Sequence, residues 1–164
     1  MSLRVVVIVG PTAVGKTRLG VRIAHALGSE ILSADSRHDY RGLDLGTGKD
    51  LDEYSAVEPP VPFHLIDIAE PDEVYTLYRY QQDCNDVLRR LADRPDFASG
   101  ATPAVLVGGS GLYVEAVIKG YRIADVPEDA ALRHSFSSEP LATLVDRLRG
   151  ADPDLAARTD VASR

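Results

Sequence analysis

A parallel α/β sheet with helices on both faces, followed by a short helical segment, is the fold that three features of the sequence predict. Short apolar runs alternate with stretches of helical periodicity, the pattern of buried strands joined by crossover helices. Glycine-rich junctions at 10–15 and 108–111 each sit between an apolar run and a helical pattern. After Pro127 the character changes to short helices alone.

Taken in order, residues 4–9 read as a continuous buried strand, and 16–27 as a helix with Leu19, Ile23, Ala24 and Leu27 inward. Gly28 closes that helix, because glycine accepts the left-handed conformation just past a helix end. Residues 30–33 read as the second strand and the polar, glycine- and proline-punctuated stretch 42–62 as a long surface loop. Loops of that length usually serve function. Residues 64–68 predict a third strand, and 76–93 a helix with Leu77, Tyr80, Val87, Leu88 and Leu91 on its apolar face. A linker over 95–103, a buried strand over 104–107 and a helix over 112–118 follow. Beyond Pro127, Ser138 and Pro140 open a helix that Gly150 closes, and Asp152 with Pro153 opens another. The expected division is an α/β core over 1–122 and a helical segment over 123–164.

The first junction carries chemistry. Gly10, Pro11, Thr12, Ala13, Val14, Gly15, Lys16 and Thr17 make a complete G-x-x-x-x-G-K-[ST] phosphate loop in its required setting, after a strand and before a helix. The fold class is therefore that of the P-loop NTPases. Gly10 and Gly15 let the backbone curl around a pyrophosphate or triphosphate, and the amides opening the helix point at the anion with the helix dipole behind them. Lys16 reaches the terminal phosphates as a point charge, and the Thr17 hydroxyl is the expected Mg²⁺ ligand. In doubly wound sheets ligands bind at the carboxyl ends of the strands. That rule brings Ser33, Ala34, Asp35 and Ser36 from the second strand, and Gly108 to Gly111 from the last, beside the phosphate loop. Asp35 is then a carboxylate near bound pyrophosphate; as alternatives it caps the following turn or holds Mg²⁺ through water.

Charge follows the same division. No acid precedes Glu30, whereas Arg4, Lys16, Arg18 and Arg22 do, so a positive field surrounds the loop although the whole chain carries a formal charge of -7. The acidic remainder repels a nucleic-acid backbone. No run approaches the roughly 20 apolar residues of a membrane span, and no signal-peptide cleavage pattern is present. A cytoplasmic monomer without a membrane partner is expected, and the lone Cys84 suits a reducing compartment.

Six motifs, in order, resemble those of the tRNA dimethylallyltransferases: residues 10–17, Ser33-Ala-Asp-Ser, Tyr40-Arg-Gly-Leu-Asp-Leu-Gly-Thr, Lys49, His64-Leu-Ile-Asp-Ile and Leu106-Val-Gly-Gly-Ser-Gly-Leu-Tyr. The resemblance implies transfer of a dimethylallyl group from its diphosphate to N6 of an adenine, usually position 37 of a tRNA. The phosphate loop then grips a leaving pyrophosphate, with Mg²⁺, and no ATP is hydrolysed. Asp35 becomes the general base and Thr12, with Lys16, a catalytic contact to the donor diphosphate. Arg41 and Lys49 become further contacts to the leaving group, and Asp35, Ser36, Arg37, His38 and Ser110 the acceptor side of the site. Alternatively, Arg41, Lys49 and His38 are ordinary loop residues exposed to solvent.

The chain also departs from the family pattern. His38 stands where a glutamine usually reads the adenine, and an imidazole cannot reproduce an amide's paired donor and acceptor. Asp50 stands where proline is common. The sequence stops at Arg164 as an arginine-rich tRNA-contacting segment would begin, so tRNA is the expected partner only if the chain continues. Otherwise a free adenine nucleotide is the acceptor, as in the adenylate isopentenyltransferases. A third class, a small-molecule kinase or a regulatory ATP-binding module, would require a lid with paired arginines. Arg79, Arg89, Arg90 and Arg94 read instead as the solvated face of the middle helix.

Overall fold

The computed structural model describes residues 3–124, 126 and 129–159, and the chain divides into two compact units at Ala124. Pro127 lies outside the described residues. The first unit is a four-stranded parallel sheet, β1 (Val5–Val9), β2 (Ile31–Ser33), β3 (Phe63–His64) and β4 (Ala104–Gly108), in the order β1-β4-β2-β3. Its helices are α1 (Lys16–Leu27), α2 (Leu51–Ser55), α3 (Leu77–Ala92), α4 (Pro95–Ala98) and α5 (Gly111–Ile118).

Successive side chains of a strand point to opposite faces, and here they feed two separate cores. Val105 and Val107 of β4, with Ile31 of β2, pack against Val21 and Ala24 of α1 and Tyr54 of α2. Ala104 and Leu106 of β4, with Leu32 of β2, pack against Tyr80, Cys84 and Leu91 of α3, Phe97 of α4 and Val114 of α5. The predicted helices on both faces are therefore present. β4, like β2, is buried at every residue because it is an internal strand that both cores share.

Several expectations need correction. β1 is not fully buried: it is an edge strand, with Val5 37% and Val9 59% exposed. Ala24 of α1 is buried and Ile23 packs against the core as expected, but Gly20 and Val21 complete the inward face and Leu19 and Leu27 are largely exposed. The strand expected over 64–68 ends at His64, because Leu65 and Asp67 turn to positive φ (64° and 56°) and curl the backbone out of the sheet. The loop 42–62 contains α2, whose buried Tyr54 lies 4.5 Å, ring to ring, from Phe63. The linker 95–103 contains α4, with Phe97 fully buried. α3 agrees with the sequence, and its N-cap Thr76 accepts a hydrogen bond from the Arg79 amide at 3.2 Å.

The second unit holds α6 (Ala130–Ser137), α7 (Leu141–Ala151) and α8 (Pro153–Arg158). α6 was not expected. Gly150 does not close α7, which runs on to Ala151. Asp152 caps α8 as expected, accepting from the Leu155 amide at 2.8 Å.

Candidate active site

The phosphate loop leaves β1 at Gly10 and enters α1 at Lys16. Its curl is made by two left-handed residues, Ala13 (φ 63°) and Gly15 (φ 84°). No side chain caps the start of α1 and no acid lies in its first turn, so the opening amides and the dipole are available to an anion. Lys16 Nζ donates to the Pro11 carbonyl at 2.7 Å, across the mouth of the loop.

Three strand ends meet beside it. A β-carbon on Gly109 would lie 3.4 Å from Asp35 Oδ2 and 3.7 Å from both Lys16 Nζ and the Gly10 carbonyl. Thus the carboxylate after β2, the lysine after β1 and the backbone after β4 face one another within the breadth of a single side chain. Gly108 is tighter still, since a β-carbon there would overlap the Ala34 carbonyl. The crossing is tied by hydrogen bonds from Ala34 N to Val107 O (2.7 Å) and from Ser110 N to Ala34 O (3.1 Å). Tyr80 of α3 fixes the end of β2 by donating to the Ser33 carbonyl at 3.0 Å.

Asp35 is 7% exposed. Arg37 holds it through its amide and its Nε on Oδ1 and its Nη2 on Oδ2, all at 3.2 Å. The same Nη2 reaches Thr12 Oγ1 at 3.4 Å. Burial pushes the Asp35 carboxyl up, but the hydrogen bonds from Arg37 and the nearby charges outweigh it and hold the group below its ordinary value. Ser110 Oγ accepts from the Ser36 amide at 2.9 Å and donates to Ser36 Oγ at 3.1 Å, so these two expected acceptor residues form one patch.

His38 is not an exposed loop histidine. It is 6% exposed, with Nδ1 at 3.0 Å from Ser33 Oγ, and it packs against the backbone of Thr47 and Gly48. Burial dominates over the pull of Asp35 and keeps its pKa below the usual value, which favours a neutral ring. Behind it Asp39 is buried, accepts from Tyr113 Oη at 2.8 Å through Oδ2, and leaves Oδ1 without a hydrogen bond. Burial pushes the Asp39 carboxyl up to about 7, with Asp35 and Asp83 nearby adding to the rise.

Lys49 and Arg41, expected to contact the leaving group, are placed elsewhere. Lys49 is 2% exposed, and its ammonium donates to the Tyr40 carbonyl (2.7 Å), Asp44 (2.9 Å) and Asp67 (2.5 Å). All three of its donors are used in pinning the loop after β2 to the turn after β3. Arg41 donates to the Asp67 carbonyl at 2.7 Å and pairs with Glu70. In their stead Thr47, Gly48 and Asp50 join Thr12, Lys16, Asp35 and His38 around a cavity of about 180 Å³. Asp50 adopts positive φ (48°) at the start of α2. Thr47 ends the motif over 40–47, whereas nothing in the sequence assigned Gly48 or Asp50 to the site. A larger, more open cleft of about 840 Å³ lies between α3 and the segment from Phe63 to Ile68, and none of these residues lines it.

A profile of the IPP transferase family matches residues 39–164, more than half of the chain. The chain belongs to the IPP transferase family. An isopentenyl transferase profile matches residues 3–56. Among IPP transferase relatives, tRNA dimethylallyltransferase 1 of Syntrophus aciditrophicus is 47% identical over 100% of this chain and 52% of its own length. The corresponding protein of Geotalea daltonii is 45% identical over 98% of this chain and 49% of its own. The chain thus spans about half the length of the curated relatives it matches. The full-length tRNA isopentenylpyrophosphate transferase of Bacillus halodurans superposes with a TM-score of 0.64 at 35% identity, covering 99% of this chain and 52% of that one. A eukaryotic dimethylallyltransferase acting on tRNA superposes with a TM-score of 0.77 at 22% identity, covering 98% and 38% respectively, and speaks for the fold alone. The P-loop α/β architecture predicted for this chain is the fold of this IPP transferase.

Proposed function

We propose that the chain carries the catalytic core of an enzyme that moves a dimethylallyl group from dimethylallyl diphosphate to N6 of an adenine in tRNA, at position 37. The observation that carries this reading is the meeting of Asp35 and Lys16 at Gly109, which sets a proton acceptor beside a diphosphate cradle. The tRNA enzymes among its relatives favour tRNA over a free nucleotide as acceptor, and over a kinase reading.

In this mechanism the allylic carbon–oxygen bond breaks with its electron pair going to the pyrophosphate. Charge builds there, and the loop amides, Lys16 and the Thr12 hydroxyl are the groups placed to stabilise it. The N6 lone pair forms the new carbon–nitrogen bond, and the N6 proton passes to the Asp35 carboxylate. Ser36 and Ser110 orient the adenine, and His38, whose ring is engaged by Ser33 Oγ and the backbone of Thr47 and Gly48, lines the pocket beside them.

Mg²⁺ suits the donor set. Among the described residues no cluster of three His, Cys, Asp or Glu side chains forms a closed metal cage. Thr17 and the carboxylates of Asp35 and Asp50 line the cavity, which matches a cation held by one or two protein oxygens and mainly by substrate phosphates. Thr17 is the proposed ligand, and the ion would neutralise charge on the diphosphate.

The test is a mass-spectrometric transfer assay with Mg²⁺ and dimethylallyl diphosphate, offering unmodified tRNA and AMP together and ATP as a competing ligand. A dimethylallyl increment on tRNA that falls by about 10²- to 10⁴-fold in Asp35→Asn is expected. An increment on AMP alone moves the chain to the nucleotide branch, and binding of ATP without binding of the prenyl donor rules out prenyl transfer.

A further inference from the structure

Asp35 and the phosphate-loop lysine both border Gly109, yet the lone pairs of Asp35 are engaged by Arg37. Three donors of Arg37 point at it, each at 3.2 Å, and a carboxylate clamped in this way is a poor acceptor for a proton from an adenine amine. Proton abstraction therefore requires the clamp to open. The structure also shows where the guanidinium can go. Its Nη2 is shared between Asp35 Oδ2 and Thr12 Oγ1, at 3.4 Å from the latter, so it already touches the loop that cradles phosphate. The Arg37 side chain is 46% exposed while that of Asp35 is 8% exposed, so the arginine is the partner free to move. Apart from Arg37, the charged or titratable groups facing Asp35 are Lys16 across Gly109, His38 on the same turn and Asp39 behind it. None of these clamps it.

We propose that Arg37 is a ligand for the donor diphosphate: when the diphosphate enters the phosphate loop, the guanidinium exchanges Asp35 for phosphate oxygens, anchoring the donor and unmasking the base in one movement. This inference rests on the reading of Asp35 as the base. Exchange is chemically balanced, because a planar guanidinium pairs with phosphate as readily as with carboxylate, and the released Asp35 carboxylate becomes the open acceptor for the N6 proton. It also orders the reaction. Without a diphosphate in the loop Asp35 stays masked, so an adenine that arrives early meets no base.

Two measurements on the 164-residue chain test the inference, both with Mg²⁺ and inorganic pyrophosphate as the probe. Calorimetric titrations compare Arg37→Met and Arg37→Lys in an Asp35→Asn background, where loss of the carboxylate charge no longer confounds the arginine's own contact. Expected is a loss of pyrophosphate affinity of about tenfold or more for Met and a smaller loss for Lys. Equal affinities overturn the inference. A crystal structure of the unsubstituted chain with pyrophosphate is expected to show Arg37 on a phosphate oxygen and released from Asp35. An arginine still clamped on Asp35, or a pyrophosphate bound elsewhere, overturns it whatever the titrations give. Binding is read without turnover, so the two ideas fail separately. Undiminished transfer by Asp35→Asn removes the base, whereas an arginine indifferent to pyrophosphate removes only the exchange.

Discussion

The Asp39 carboxyl is buried beneath the site with one oxygen on Tyr113 and the other without a partner, so an ionised form is poorly accommodated. Its pKa, about 7 in the fold against 3.8 for the free group, means that the native chain binds more protons than the unfolded chain between those values. Stability from this group therefore falls as pH rises through that window, by on the order of a few kcal/mol, and levels off above it. Asp35 acts in the opposite direction and in another range, since its lowered pKa gives stability that is lost only as pH falls below the ordinary carboxylate range. Urea unfolding at pH 5 and pH 8 separates them: Asp39→Asn is expected to remove most of the decline toward pH 8. An unchanged decline assigns it to other groups. Lys49 gives a second prediction at this scale. Because its three donors are used within the fold, Lys49→Met is expected to cost about 1–3 kcal/mol and leave pyrophosphate affinity unchanged. Weaker pyrophosphate binding at unaltered stability would restore the leaving-group role that the motif suggested. Lys49 was legible as an important residue. That its ammonium turns to Asp44 and Asp67 was not, because both acceptors depend on how two loops fold onto each other.

At the scale of elements, close approach at two glycines sets the site. α1 lies against β4 at Gly20, where a β-carbon would come within 2.6 Å of Val107 Cγ2. Gly20→Ala is expected to cost about 1–3 kcal/mol by overpacking, and Val107→Ala in the same chain to recover part of it. Strictly additive losses in denaturant titrations would count against this contact. Gly108→Ala is expected to be worse, because the clash is with the Ala34 backbone and a backbone cannot rotate aside. The sequence marked 108–111 as a glycine-rich junction, but only the close approach of the chain leaving β2 at Ala34 to the end of β4 explains why a side chain is not tolerated there. Elements with strong periodicity were legible: α1 and α3 fall within a residue of their expected bounds. The short ones were not. α2 and α4 are 5 and 4 residues long, too few for a period, and each is held by one buried aromatic, Tyr54 or Phe97. β3 was overestimated because an apolar run does not reveal that Leu65 and Asp67 take positive φ.

For the whole molecule, burial is unequally divided. The described core residues all lie between Val21 and Ala116, and α6, α7 and α8 contribute no buried residue. Helices of 8, 11 and 6 residues are marginal in water without a core. A peptide of residues 125–164 is therefore expected to show little helix by circular dichroism, while a chain ending at Ala124 keeps a cooperative transition. A well-folded isolated peptide would contradict this division. The sequence by itself determined the alternation of strands and helices, the phosphate loop and the placing of Asp35 at a strand end beside it, because periodicity and motif spacing are local properties of the chain. Tertiary structure alone decided that β1 lies at an edge, that Lys49 turns inward, that Asp39 is buried with an unpartnered oxygen and that Arg37 covers Asp35. Each of these depends on which residues distant along the chain are brought against one another, and packing, not local propensity, makes that choice.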